Sequence, residues 1–205
     1  MKLETRRAES GDVAAIKRLT DEYLAPEYYS LEALDGYIHA ERSLFYVVTD
    51  ADRDDAVIAY FYAFLSTLDE AMRVLHVQVK PEALLEYDGD APVGVYKTVS
   101  IDKAYRHFGI CTAFIRDLEP VMRAHGAKLI LGPAMRSPAG VIPMEGILHE
   151  HGFAPIAEII RPWEDMDMYC PYCGRYHCIC DAVFYIKHLD RTEDEDVRES
   201  DESAR

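Results

Sequence analysis

Four of the five cysteines, Cys170, Cys173, Cys178 and Cys180, fall within eleven residues, while Cys111 stands apart. Crowding of this kind points to a metal before it points to disulfides, because thiolates bind soft cations and the C-x2-C-x4-C-x-C spacing supplies four of them. In Cys170-Pro171-Tyr172-Cys173-Gly174 a tight turn brings two sulfurs together, its amides donate to them, and Gly174 permits the bend. Cys178 and Cys180 lie two residues apart on an extended segment and therefore share a side. A closed all-sulfur shell suits zinc, with iron as the main competitor, and leaves no open position for catalysis. His177 is an alternative ligand, and four free thiols are the alternative to a metal site.

A second stretch, from Ile101 through Asp102, Tyr105, Arg106, His107, Phe108, Gly109 and Ile110 to Cys111, lies between a strand pattern and the start of a helix pattern. Unpaired amides and the positive end of the helix dipole attract an anion there. In the R-x-x-G-x-C spacing, Gly109 lets the backbone approach a ligand and Arg106 adds positive charge. A glycine in such a turn can also be purely structural, so the stretch gains meaning from its neighbours.

The elements that must hold these two stretches can be read from periodicity. Leu3 to Ala8 alternates as a strand, and Ser10-Gly11-Asp12 supplies cap chemistry for a helix with Val13, Ile16, Leu19, Tyr23 and Leu24 on one face. After Pro26, Ser30 can cap a second helix carrying Leu31, Leu34, Tyr37 and Ile38. Leu44–Thr49 and Ala56–Leu65 form a hairpin split by an acidic turn, and Met72–Val79 alternates as a further strand. Val93–Ile101 is a strand and Thr112–His125 a helix closed by Gly126, with Phe114, Ile115, Leu118, Val121 and Met122 on one face. Ala127–Leu131 is a short strand broken by Gly132-Pro133, and the segment up to Gly152 ends in a helix. Pro155–Ile160 and Ala182–Lys187 are the last strands, joined through the cysteine-rich connection at 161–181. This order suits one mixed α/β sheet.

Charge narrows the partners. With 22 Lys plus Arg against 37 Asp plus Glu, the formal charge of −15 opposes binding to a polyphosphate backbone, so no nucleic-acid partner is expected. Residues 190–205 carry eight acids and three bases with almost no apolar content, which predicts a disordered acidic tail behind a single domain at 1–189. No run of about 18 apolar residues occurs, and Met1–Arg7 lacks the apolar block of a secretion signal, so a cytoplasmic protein without a membrane partner is expected. Oligomeric state has no signal in the sequence.

Ile101-Asp102, Tyr105-Arg106 and Gly109-Ile110 resemble the acetyl-coenzyme A turn of the GCN5-related N-acetyltransferases, Q/R-x-x-G-x-G/A. Leu148-His149-Glu150-His151-Gly152-Phe153 resembles that family's helix-Gly-Phe junction, and the likeness extends through the order of elements to about His188. It implies the acyl-CoA N-acyltransferase (GNAT) fold, a mostly antiparallel sheet with a splayed parallel pair flanked by helices. It also implies acetyl-CoA as cosubstrate and a small-molecule or peptide amine as acceptor. Amides of Arg106, His107, Phe108, Gly109, Ile110 and Cys111 would cradle the pyrophosphate, and backbone near Val99 and Ile101 would pair with the pantetheine arm. The sequence departs from the family at Cys111, where Gly or Ala is usual, and at Leu148, where many members place a Tyr general acid. Tyr96, Glu145 and His149 are the candidate replacements. The zinc connection would border the acceptor, and its flank from Trp163 to Tyr169 carries acids that would favour a cation or simply face water. The alternative reading is a non-catalytic protein of the same fold that binds an acyl-CoA or a protein partner.

Overall fold

The computed structural model describes residues 2–189; the acidic stretch expected to be a tail lies outside the described residues. The hydrophobic alternation of the chain folds into one seven-stranded sheet of order β1-β2-β3-β4-β5-β7-β6. Its strands are β1 (Leu3–Arg7), β2 (Ser43–Asp50), β3 (Ala56–Thr67), β4 (Pro92–Ile101), β5 (Leu129–Arg136), β6 (Ala154–Ile159) and β7 (Asp181–His188). Neighbours run antiparallel except β4 and β5, which are parallel and pair only at Val93–Val95 with Leu129–Leu131. The helices are α1 (Val13–Tyr23), α2 (Leu31–His39), α3 (Leu68–Val74), α4 (Ile110–Ala124) and α5 (Glu145–Glu150).

Two apolar layers cover the sheet. On one side Ile16 and Leu19 of α1 and Leu34 of α2 pack with Phe45, Val47 and Tyr60. On the other, Phe114, Ile115, Leu118 and Met122 of α4 pack with Phe61, Tyr96 and Ile130. Burying each large α4 side chain contributes about 1.5–3 kcal/mol, an upper figure because the unfolded chain already hides some surface. Ser30 caps α2 as its sequence predicts, its hydroxyl accepting from the Ala33 amide at 3.0 Å.

Two elements differ from expectation. The strand expected at Met72–Val79 is replaced by α3 and a turn. Thr67 caps that helix, Asp69 and Glu70 occupy its first turn and Arg73 its last, while Leu68, Ala71 and Leu75 bury one face. The apparent alternation counted Val74 and Val79, both exposed. The second difference is that Gly132-Pro133 does not end β5, which continues to Arg136. Beyond Leu131 the strand pairs only with β7, Pro133 lying opposite Phe184, and a strand with one free side tolerates a missing N–H.

Candidate functional site

Where β4 and β5 part, a cavity of about 580 Å³ opens, lined by Tyr96–Ile101 from one strand and Gly132–Met135 from the other. The separation is enforced locally. Tyr62 of β3 pairs with Thr98 and Ala63 with Tyr96, so Lys97 is the extra residue of a β-bulge in β4. Past the bulge the strand faces are fixed by side chains, the Thr98 hydroxyl bonding the Tyr29 phenol at 2.6 Å and the Ser100 hydroxyl donating to the Leu19 carbonyl at 3.0 Å.

The turn after β4 forms one end of this cavity. Asp102 caps a short 3-10 turn by accepting from the Ala104 amide at 2.9 Å, and the Tyr105 phenol donates to Asp50 at 2.7 Å, tying the turn to β2. His107 and Gly109 then take positive φ values of 68° and 75°. Gly109 has open space around it, so its need for glycine is conformational, at a cost of roughly 1–2 kcal/mol for an L side chain. Ala113 is the first α4 amide with a backbone acceptor, the Gly109 carbonyl at 2.9 Å. The amides of Gly109, Ile110, Cys111 and Thr112 have no acceptor among the described residues and lie at the positive end of a fifteen-residue helix. Arg106 is held beside them, its Nε donating to the Ile101 carbonyl at 3.1 Å and its guanidinium 5.0 Å from the Tyr23 ring centroid.

Of the residues expected at the coenzyme, Val99, Ile101, Arg106, His107, Gly109, Ile110 and Cys111 line the cavity. Phe108 is 59% exposed and lies outside the lining. Cys111 is buried in the α4 core with Phe114 and Ile115, and burial pushes its thiol up to about 12. A buried neutral thiol packs as a small hydrophobe.

The candidates for proton transfer are dispersed. Tyr96 lines the cavity, but its phenol donates to the Ile115 carbonyl at 3.1 Å, and burial drives its pKa far above the ordinary tyrosine value. Glu145 and His149 are exposed on α5 and absent from the lining; Met144, Ile147 and Leu148 are the α5-side residues that reach it. Lys97, which sequence reasoning passed over, does line the cavity. Its signal was available, a single charged residue inside the otherwise apolar and hydroxylic run Val93–Ile101.

Another part of the cavity wall is built by the α1–α2 connection and the cysteine loop, with Ala25, Tyr28, Trp163, Met168, Cys170 and Cys178, and the loop's Tyr172 phenol donates to the carbonyl of Tyr23, whose ring lies under Arg106, at 3.4 Å. The four clustered sulfurs all lie within 4.8 Å of one another. Cys170 and Cys180 approach to 3.9 Å, as do Cys173 and Cys178. Ligands about 2.3 Å from a tetrahedral ion stand about 3.8 Å apart, so the set fits a metal held by four thiolates. The knuckle has the expected form: the Gly174 amide donates to the Cys170 carbonyl at 2.8 Å and the Cys170 amide to the Arg175 carbonyl at 3.0 Å. Burial pushes the Cys178 and Cys180 thiols up, so a cation is what would hold them as thiolates. His177 is exposed, its ring 3.2 Å from the Glu164 carbonyl, and is not one of the four converging ligands. At the loop's base Arg136 bonds Glu158 at 2.5 and 2.8 Å and Asp181 at 3.2 Å, joining the strands from which it leaves and to which it returns.

The splayed parallel pair, the bulge and the open helix N-terminus define the GCN5-related N-acetyltransferase fold. Solved structures similar to this chain include acetyltransferases of that fold. Arabidopsis thaliana NAA60 in complex with acetyl-CoA aligns with a TM-score of 0.71 and 13% identity over 93% of this chain and 100% of that one. Chaetomium thermophilum Naa20 in complex with a bisubstrate analogue gives 0.69 and 16% identity over 95% and 89%. The ribosomal-protein-S18-alanine N-acetyltransferase of Escherichia coli gives 0.61 and 14% identity over 93% and 96%. No family model and no curated protein matches the sequence. At these identities the likeness shows the fold. Among the described residues no helix is long and apolar enough to cross a membrane.

Proposed function

We propose that this chain is an N-acetyltransferase that uses acetyl-CoA to acetylate a small-molecule or peptide amine, with a structural four-cysteine zinc loop walling the acceptor side. The observation that carries the reading is the meeting, in the wall of one cavity, of free α4 amides and the cysteine loop. The amides of 109–112 and the Arg106 guanidinium would hold the pyrophosphate, and main-chain groups of Val99 and Ile101 the pantetheine arm. Bound there, acetyl-CoA supplies an activated acyl group. The amine lone pair attacks the thioester carbonyl carbon, a C–N bond forms as the C–S bond breaks, and the proton lost by nitrogen passes to the departing sulfur. The work of the protein is positioning in a water-poor cleft. Leu148 is buried and offers no proton, so we assign proton return to water. Zinc would hold the loop and take no part in the reaction. Clustered thiols of this kind belong in a reducing compartment, and the cytoplasm is the proposed location.

Acetyl-CoA at a hundredfold its Kd should raise unfolding stability by about 2.7 kcal/mol. No shift at millimolar acetyl-CoA overturns the reading. The occupied position of the usual general acid, Leu148, favours a second reading, a binding protein without turnover. A thermal shift with no thiol released in the presence of any amine would select it.

A further inference from the structure

Four lysines of the described chain are half-buried, and three of them have partners. Lys17 contacts Asp21 at 2.6 Å, Lys187 contacts Glu119 at 2.6 Å, and Lys80 donates to the Tyr87 carbonyl at 2.5 Å. Lys97 has no hydrogen bond and no ion pair among the described residues. Desolvation lowers its pKa below the ordinary lysine value, the mark of an ammonium that loses water and gains nothing in return.

Its surroundings are as informative. In a chain of formal charge −15, no Asp or Glu among the described residues lines the cavity, and Lys97 and Arg106 are the only Lys or Arg among the described residues that do. The acids of the loop flank, Glu164, Asp165 and Asp167, are exposed and outside the lining, so the cationic acceptor they suggested finds no counter-charge in the cavity. Arg106 belongs to the phosphate turn. Lys97 lies four residues up β4 from Ile101, or about 13 Å at the rise of an extended strand, too far to share that anion and beside the point where the strands part. Tyr28 and Trp163, from the acceptor-side loops, line the cavity with it.

We propose that Lys97 is the acceptor-binding cation of the proposed transferase, and that the amine acetylated also carries a carboxylate, which the Lys97 ammonium receives. The inference rests on the N-acetyltransferase reading and names its substrate class. A carboxylate entering the cavity supplies the partner that the chain withholds, whereas an acceptor with a second positive charge meets an uncompensated ammonium in a poorly solvated site. The amine that reacts is a separate group of the same molecule, so charge recognition and chemistry occur at different atoms.

The test compares matched acceptors on the full-length, metal-loaded protein: free amino acids against their carboxamides, and peptides containing Asp or Glu against Asn or Gln. Thiol release with acetyl-CoA gives kcat/KM for each. The carboxylate member should exceed its neutral partner by about 10–100-fold, the range of a hydrogen bond between charged groups. K97M should erase that ratio, K97R should keep it, and the acetyl-CoA Kd of both should stay within about twofold of the parent. K97Q replaces K97M should the latter lose its cooperative unfolding transition. Acetylation confined to neutral or cationic members, or absent from the whole anionic set, overturns the assignment. So does an equal loss with every acceptor, which would make Lys97 a proton acceptor, a parallel loss of acetyl-CoA affinity, which would give it to the coenzyme, or an acetyl group found on Lys97 itself after incubation without acceptor. Acetyl-CoA binding is measured separately by thermal shift, so failure of the transferase reading is recognised apart from failure of this one.

Discussion

Two parts of the cavity wall are made by different means. At the β4–α4 turn the groups left unpaired are main-chain amides, and the side chains around them serve to fix the backbone: Asp102 caps the 3-10 turn, Tyr105 ties it to Asp50, and Gly109 takes the positive φ. In the second part the wall includes Trp163 and Met168, on a connection at 160–180 that has no helix or strand of its own. Regular structure positions amides at no extra cost, because a helix N-terminus leaves them unpaired wherever it occurs. A connection of that length needs a staple, and four converging sulfurs would provide one on binding a metal. Under the proposed function, the difference teaches that coenzyme binding would rest on main-chain groups of the fold, whereas acceptor choice would draw on side chains, those of the added loop and Lys97 of β4.

Breaking the staple should have the largest effect. C178S removes a ligand that is 1% exposed, and the full-length protein should lose at least about 3 kcal/mol of stability, or roughly 6–12 °C in Tm, together with its bound metal. Calorimetry with elemental analysis checks both. An unchanged Tm would mean that the loop stands without metal. At the β4–α4 turn, G109V forces a β-branched side chain into a positive φ, at a cost of about 1–3 kcal/mol, and moves the amides. Its acetyl-CoA Kd should rise at least tenfold with no change in zinc content, so that the turn and the loop fail separately. Unchanged affinity would show that these amides do not bind the coenzyme.

Smaller effects sharpen the division between framework and chemistry. Y96F deletes a phenol that donates to the Ile115 carbonyl and should cost about 1 kcal/mol in urea unfolding, with turnover within about twofold of the parent. Turnover slowed by about a hundredfold or more would instead make Tyr96 the proton donor. The least change is expected from Cys111. Its folded pKa of about 12 lies above the unfolded value of about 8.5, so the neutral thiol is the form that folding favours. Its contribution to stability is complete below about pH 8.5 and is lost as pH rises towards 12. Iodoacetamide at about pH 8 should leave Cys111 unmodified in the folded protein and alkylate it after unfolding, as peptide mass spectrometry would read.

Much of this was legible in the chain before folding. The Cys170–Cys180 spacing marked the four sulfurs that converge and the Ile101–Cys111 stretch marked the turn with unpaired amides, because both depend on neighbours close in sequence. Local capping likewise set α2 at Ser30. The misread elements show the limit of such reasoning: at Met72–Val79 a count of alternating valines competed with cap and helix-face signals, and at Gly132-Pro133 a local breaker was overridden by pairing to β7.

What the sequence by itself determined, then, is the chemistry held within short segments: four thiols able to converge, a glycine able to turn, amphipathic faces able to pack. Which of these groups meet was decided only in three dimensions. Tyr96 was spent on the Ile115 carbonyl, Glu145 and His149 were turned to solvent, and Lys97 was left without a partner in the cavity wall. The reason is that burial, pairing and access depend on strands and loops brought together from distant parts of the chain, and desolvation is a property of that assembly and not of any residue within it.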